Sequence, residues 1–133
     1  MAIKRFGVSL EEELLVSLDE LVEKDQFPNR SQAIRFLIEK NLVEERWESN
    51  HEVAGAIVLV YDHHKRELNN KLVNIQHDFY HLILSVQHVH LDHDNCLETI
   101  TVKGKAHQLT QLADKLIGIK GIKHGKLIMT AAA

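Results

Sequence analysis

His88-Val89-His90, then five residues, then Cys96 hold most of this chain's capacity for chemistry. In an extended strand, residues two apart project from the same face, which sends both imidazoles one way. The intervening Leu91-Asp92-His93-Asp94-Asn95 is rich in turn formers. A symmetric reversal there sets Cys96, the only cysteine, opposite His90 on that same face. Two imidazoles and a thiolate then converge, which is a metal site short of one ligand. With 10 histidines in 133 residues a chance His-x-His is common, and a lone cysteine is often a small buried hydrophobe, so the case rests on all three together. In the same register Glu98 falls across from His88, where a carboxylate can orient that imidazole or a neighbouring ligand. Gln76 and Tyr61 are further candidates for that supporting role.

The elements that must position these residues are legible from residue 53 onward. Val53 to Tyr61 is a continuous apolar run, as in a buried strand. Residues 64–79 have helical spacing, with Leu68, Leu72, Ile75 and Phe79 on one stripe. Residues 82–91 and 96–103 form a hairpin, 105–117 a second helix through Leu109, Leu112, Ala113, Leu116 and Ile117, and Ile122 to Thr130 a final strand. The order βαββαβ is that of a ferredoxin-like fold of the ACT type, with Ala131 to Ala133 as a frayed tail. At about 100° per residue, His77 lies about 180° from Leu68 and faces away from its own sheet. As a fourth ligand, such a histidine would have to act across a subunit interface.

The first 46 residues follow another pattern. Phe6 and Val8 alternate with Arg5, Gly7 and Ser9, the signature of a short strand over 3–9. Ser9 and Glu12 have capping-box spacing, and Glu11, Glu12 and Glu13 suit a first helical turn. Leu14, Leu15, Leu18, Leu21 and Val22 continue that helix, which Phe27-Pro28-Asn29 ends. Asn29 with Gln32 caps a second helix, whose stripe is Ala33, Ile34, Leu37, Ile38 and Leu42. One strand and two helices are too few to bury a core, and the strand has nothing in the module to pair with. Two copies pairing their strands antiparallel would solve both problems, and a two-stranded ribbon fits the DNA major groove. The expected domains are therefore residues 1–46, a polar linker over 47–52 in which Trp47 packs, and residues 53–133.

Composition bounds the classes. The chain is 44% hydrophobic and 26% charged, ordinary for a globular protein, with no apolar run long enough for a membrane span. The opening Met1-Ala2-Ile3-Lys4-Arg5 lacks the hydrophobic core of a signal peptide. A single cysteine permits no intrachain disulfide and suits a reducing cytoplasm. A net charge of −3, with seven Lys and Arg against eleven Asp and Glu in residues 1–50, gives DNA binding no support from overall charge. There is no Gly-rich phosphate loop and no nucleophile–base pair, so no enzyme is expected.

Residues 3–45 resemble a ribbon-helix-helix DNA-binding module, on the strand Lys4-Arg5-Phe6-Gly7-Val8-Ser9 and the helix entry Asn29-Arg30-Ser31. The resemblance implies that Arg5, Gly7 and Ser9 face base edges and that Asn29, Arg30 and Ser31 sit where a helix N-terminus holds a phosphate. The whole chain resembles the nickel-responsive repressors of the NikR family, on Gln76-His77, His88-Val89-His90 and Cys96-Leu97-Glu98. That resemblance implies one Ni(II) per chain, square-planar, held by His88, His90 and Cys96 of one subunit and His77 of another. It further implies a homotetramer built as a dimer of dimers, binding a palindromic operator in double-stranded DNA and repressing nickel uptake genes. Family members often carry acidic residues on the second helix for an auxiliary cation; the equivalent positions here are Gln32 and Phe36. Ligand types alone leave copper, cobalt and zinc open. An ACT-type domain also leaves a small-molecule effector open, though no carboxylate-and-amine clamp is present. The extra histidines His51, His63, His64, His81, His93, His107 and His124 are expected to be mostly solvated.

Overall fold

A computed structural model describes residues 2–132. The chain divides into two compact units, Met1–Asn41 and Leu42–Ala133. In the first unit, α1 (Glu12–Lys24) and the start of α2 (Arg30–Glu48) are separated by Gln26, at φ 57°, and by Pro28. The Asn29 side chain accepts the Gln32 N–H at 2.9 Å, the expected cap of α2. Asn29→Ala is expected to lower stability by about 1 kcal/mol, read as an earlier midpoint in urea unfolding.

Two expectations for this unit change. Residues 3–9 carry no assigned strand, and Phe6 is 75% exposed. A ladder needs a second strand, and none of the described residues pairs with this segment. The Ser9–Glu12 capping box does not form either. Glu11 is the N-cap, its side chain makes no cap bond, and its carbonyl accepts Leu14 N–H at 3.0 Å and Leu15 N–H at 3.1 Å. Ser9 lies two residues before that cap, too far out for its hydroxyl to reach the first turn's N–H groups.

The second unit is the βαββαβ sandwich. Its strands are β1 (Glu52–Tyr61), β2 (Ile83–His90), β3 (Cys96–Lys105) and β4 (Ile122–Thr130), in the antiparallel order β2-β3-β1-β4. Helices α3 (Arg66–Asp78) and α4 (Ala106–Ile117) cover one face. Burial alternates residue by residue along β1 and β3, so one face of each is core. Ile57, Leu59, Ile100, Val102, Leu109, Leu112 and Leu116 are wholly buried there, with Leu68 and Leu72 of α3. The segment expected to be a linker is largely structured: α2 continues to Glu48, and Trp47 is 4% exposed in this core, the packing role expected of it. Ala131 also packs against the core and is not frayed; Ala133 lies outside the described residues.

Candidate metal centre

The β2–β3 hairpin has the register that its loop composition implies. His90 pairs with Cys96 and His88 with Glu98. The turn is held by Asp92, whose carboxylate accepts the N–H groups of Asp94 (2.9 Å) and Asn95 (2.8 Å), and by Leu91 N–H donating to Asn95 O at 2.9 Å. Those bonds, led by the Asn95 side chain, hold the Asp92 carboxyl below its usual range. β2 is an edge strand, which leaves His88 and His90 exposed, whereas Cys96 on the inner β3 is wholly buried.

The surroundings of the thiol are polar but carry no cation. Cys96 Sγ–H donates to Tyr61 O at 3.4 Å, and burial pushes the thiol pKa up. Behind it Glu98, 7% exposed, accepts Tyr61 Oη–H at 3.0 Å on one oxygen and Gln76 Nε2–H at 2.8 Å on the other. Burial, then the Glu98 charge, raises the Tyr61 phenol, which keeps it a donor. Glu98, Gln76 and Tyr61, read separately from the sequence, thus form one hydrogen-bonded unit reaching from α3 through the sheet. A cleft of about 440 Å³ opens beside it, lined by Tyr61, His63, Gln76, His88, His90 and Glu98.

The four sequence-predicted donors do not all meet. The His88 and His90 rings stand edge-on at 5.5 Å, and among the described residues these two and Cys96 are not drawn into one group of donors within 4.8 Å. His77 is exposed on α3, as its helical angle predicts; it stacks near Tyr80 at 6.5 Å while its neighbour Gln76 turns inward. The donor set nonetheless fits a borderline divalent cation: two imidazoles and a thiol on one hairpin face, backed by an anchored carboxylate.

One group was missed in the sequence. Asp62, His63 and His64, just after β1, have donor atoms within 4.8 Å of one another, and the His63 ring stacks on His90 at 4.2 Å. Desolvation, then the neighbouring His90 and His64, lowers the His63 pKa. The run Asp-His-His was visible, but the sheet order that sets it beside the hairpin was not.

At the helix–helix unit, Arg5, Gly7, Ser9, Arg30 and Ser31 are all exposed. Arg30 is forked onto Asp19, at 2.8 and 2.9 Å, and this bond holds the Asp19 carboxyl low. A half-exposed surface pair of this kind is worth about 1 kcal/mol or less, so an incoming phosphate can displace it. Phe36 packs on Phe27 with ring centroids 5.4 Å apart, and neither it nor Gln32 supplies a carboxylate.

Comparison with known proteins agrees with both modules. Residues 4–45 match the model of the ribbon-helix-helix protein, copG family, and residues 54–130 match that of the NikR C terminal nickel binding domain. A protein of Desulfovibrio desulfuricans named "Putative nickel-responsive regulator" is 54% identical over 92% of this chain and 89% of its own length. One of Geobacter sulfurreducens with the same name is 53% identical over 95% and 91%. Among solved structures, an uncharacterized protein of Thermotoga maritima has a TM-score of 0.54 at 15% identity, covering 59% of this chain and 98% of its own. The ACT domain of a GTP pyrophosphokinase of Chlorobium tepidum has a TM-score of 0.50 at 18% identity, covering 58% and 99%. These two show the fold of the second unit. Fold and site together define a DNA-binding regulator, not an enzyme, in which a ribbon-helix-helix module precedes an ACT-like domain. The chain belongs to the NikR family, the nickel-dependent regulators of this architecture.

Proposed function

We propose that this protein is a cytoplasmic nickel-responsive transcription factor whose DNA affinity rises when each chain binds one Ni(II). The observation that carries this reading is the hairpin register, which places His90 opposite Cys96 and His88 opposite the anchored Glu98. His88, His90 and Cys96 of one subunit hold the metal, and the outward His77 of a neighbouring subunit completes the set. When bound, nickel supplies a cross-link between subunits that favours one conformation of the oligomer. The chain's own residues do the rest. Cys96 gives up its thiol proton on binding, so affinity increases with pH. Glu98, fixed by Tyr61 and Gln76, orients the histidine across from it. The assembly is a homotetramer, a dimer of dimers, whose paired strands present Arg5, Gly7 and Ser9 to the two halves of a palindromic operator. The Asn29-Arg30-Ser31 helix entry holds the flanking phosphate. The regulated genes encode nickel uptake, and the effect is repression.

The test is titration of the apo protein with Ni(II), Zn(II) and Cu(II), followed by absorption and by DNA affinity. A thiolate-to-nickel charge-transfer band saturating at one metal per chain, with tighter DNA binding, is the expected result. Saturation without a thiolate band, or DNA affinity indifferent to nickel, would rule the reading out. Glu98→Ala is expected to weaken nickel binding by about 10–100-fold. It also strands the buried Tyr61 hydroxyl at about 1–3 kcal/mol, seen as a lower melting temperature of the apo protein.

A further inference from the structure

The chain between the two modules is not loose. The second unit begins at Leu42, inside α2, and the last turns of that helix are built into it. Trp47 donates Nε1–H to Thr130 O at 3.1 Å, and its ring lies against Gly55, where an added Cβ would come within 3.3 Å of Cζ2 and 2.5 Å of Ile128 O. Val43, one turn earlier, packs on the same core. The helix then closes in a tight turn. Asn50, at φ 55°, donates its N–H to Trp47 O at 3.3 Å, and His51 N–H donates to Arg46 O at 2.9 Å. This pair of bonds around a left-handed residue is a well-defined helix stop that leaves little freedom. The corner also caps the next helix: Asn50 Oδ1 accepts His107 N–H and His51 O accepts Ala106 N–H, both at 3.0 Å.

The opposite end of the same strands is the candidate metal centre. β1 and β3 pair along their whole length, from Glu52 with Lys105 at the corner to Tyr61 with Cys96 at the hairpin. We propose that Trp47 and Asn50 are positioning residues that clamp the last turns of α2 onto the sensor sheet. A conformational preference set at the hairpin then reaches the DNA-binding helices and is not lost in a slack linker. The inference rests on the nickel-dependent DNA binding proposed above.

Two conservative variants of the full chain test it. Asn50→Gly keeps the left-handed turn but removes the acceptor for α4, and Trp47→Phe keeps an aromatic ring on Gly55 but removes the Nε1–H donor. The DNA probe is a labelled duplex selected from a random-sequence pool by the nickel-loaded wild type. Both variants are expected to titrate with Ni(II) as the wild type does, while nickel's enhancement of affinity for the probe falls by about fivefold or more. Asn50→Asp, which keeps the acceptor, restores the enhancement. In the wild type, the amides of His51 and Ala106 are expected to exchange as slowly as those of β1. Undiminished enhancement in both variants, or exchange at the corner as fast as in unstructured chain, overturns the inference. A wild type whose DNA affinity ignores nickel fails before any variant is compared, so loss of the functional reading is told apart from loss of the clamp.

Discussion

Cys96→Ala is expected to abolish tight nickel binding while leaving the fold in place. Losing an outer partner of a metal ligand lowers affinity about 10–100-fold, and losing the thiolate itself is expected to exceed that range. The structural cost is small, because removing one buried sulfur atom forfeits about 1 kcal/mol, the value of a methylene-sized group. The charge-transfer band should vanish with only a modest change in melting temperature. His77→Ala is expected to give the same loss of binding with still less effect on folding, since His77 is exposed. The two variants can be used together. If the helix histidine acts across an interface, assemblies mixed from Cys96→Ala and His77→Ala chains regain a fraction of the sites, because each supplies what the other lacks. A Cys96→Ala protein that binds nickel within tenfold of the wild type would remove the hairpin from the functional account.

Ile100→Ala is expected to destabilise the second unit by about 2–5 kcal/mol. Ile100 is wholly buried on β3, paired with Ile57 on one side and Val86 on the other. It shares a face with Cys96 and Glu98, since all three alternate with outward residues. The variant therefore tests whether the ligand-bearing face is the core face. Nickel should partly compensate, because a ligand at a hundredfold excess over its dissociation constant adds about 2.7 kcal/mol to the folded state. Thermal unfolding with and without Ni(II) reads both effects. A cost below about 1 kcal/mol would mean that this face is not close-packed.

The sequence by itself determined the local geometry of the site. Two-residue alternation placed His88 and His90 on one side of β2, and a five-residue loop of turn formers set Cys96 against His90 and Glu98 against His88. Helical rotation placed Leu68 and Leu72 inward and His77 outward. Side-chain periods of 2 and 3.6 are properties of the backbone, so facing within an element is written in its residues. Only the tertiary structure decided which distant elements meet. Sheet order brought Tyr61 against Cys96 and His63 against His90, and the packing of α3 brought Gln76 to Glu98. It also carried α2 past the expected linker, because burying the Trp47 ring on Gly55 outweighs the polar character of its neighbours. These contacts join residues far apart in the chain, and they depend on the summed packing of a whole core, which no local period encodes.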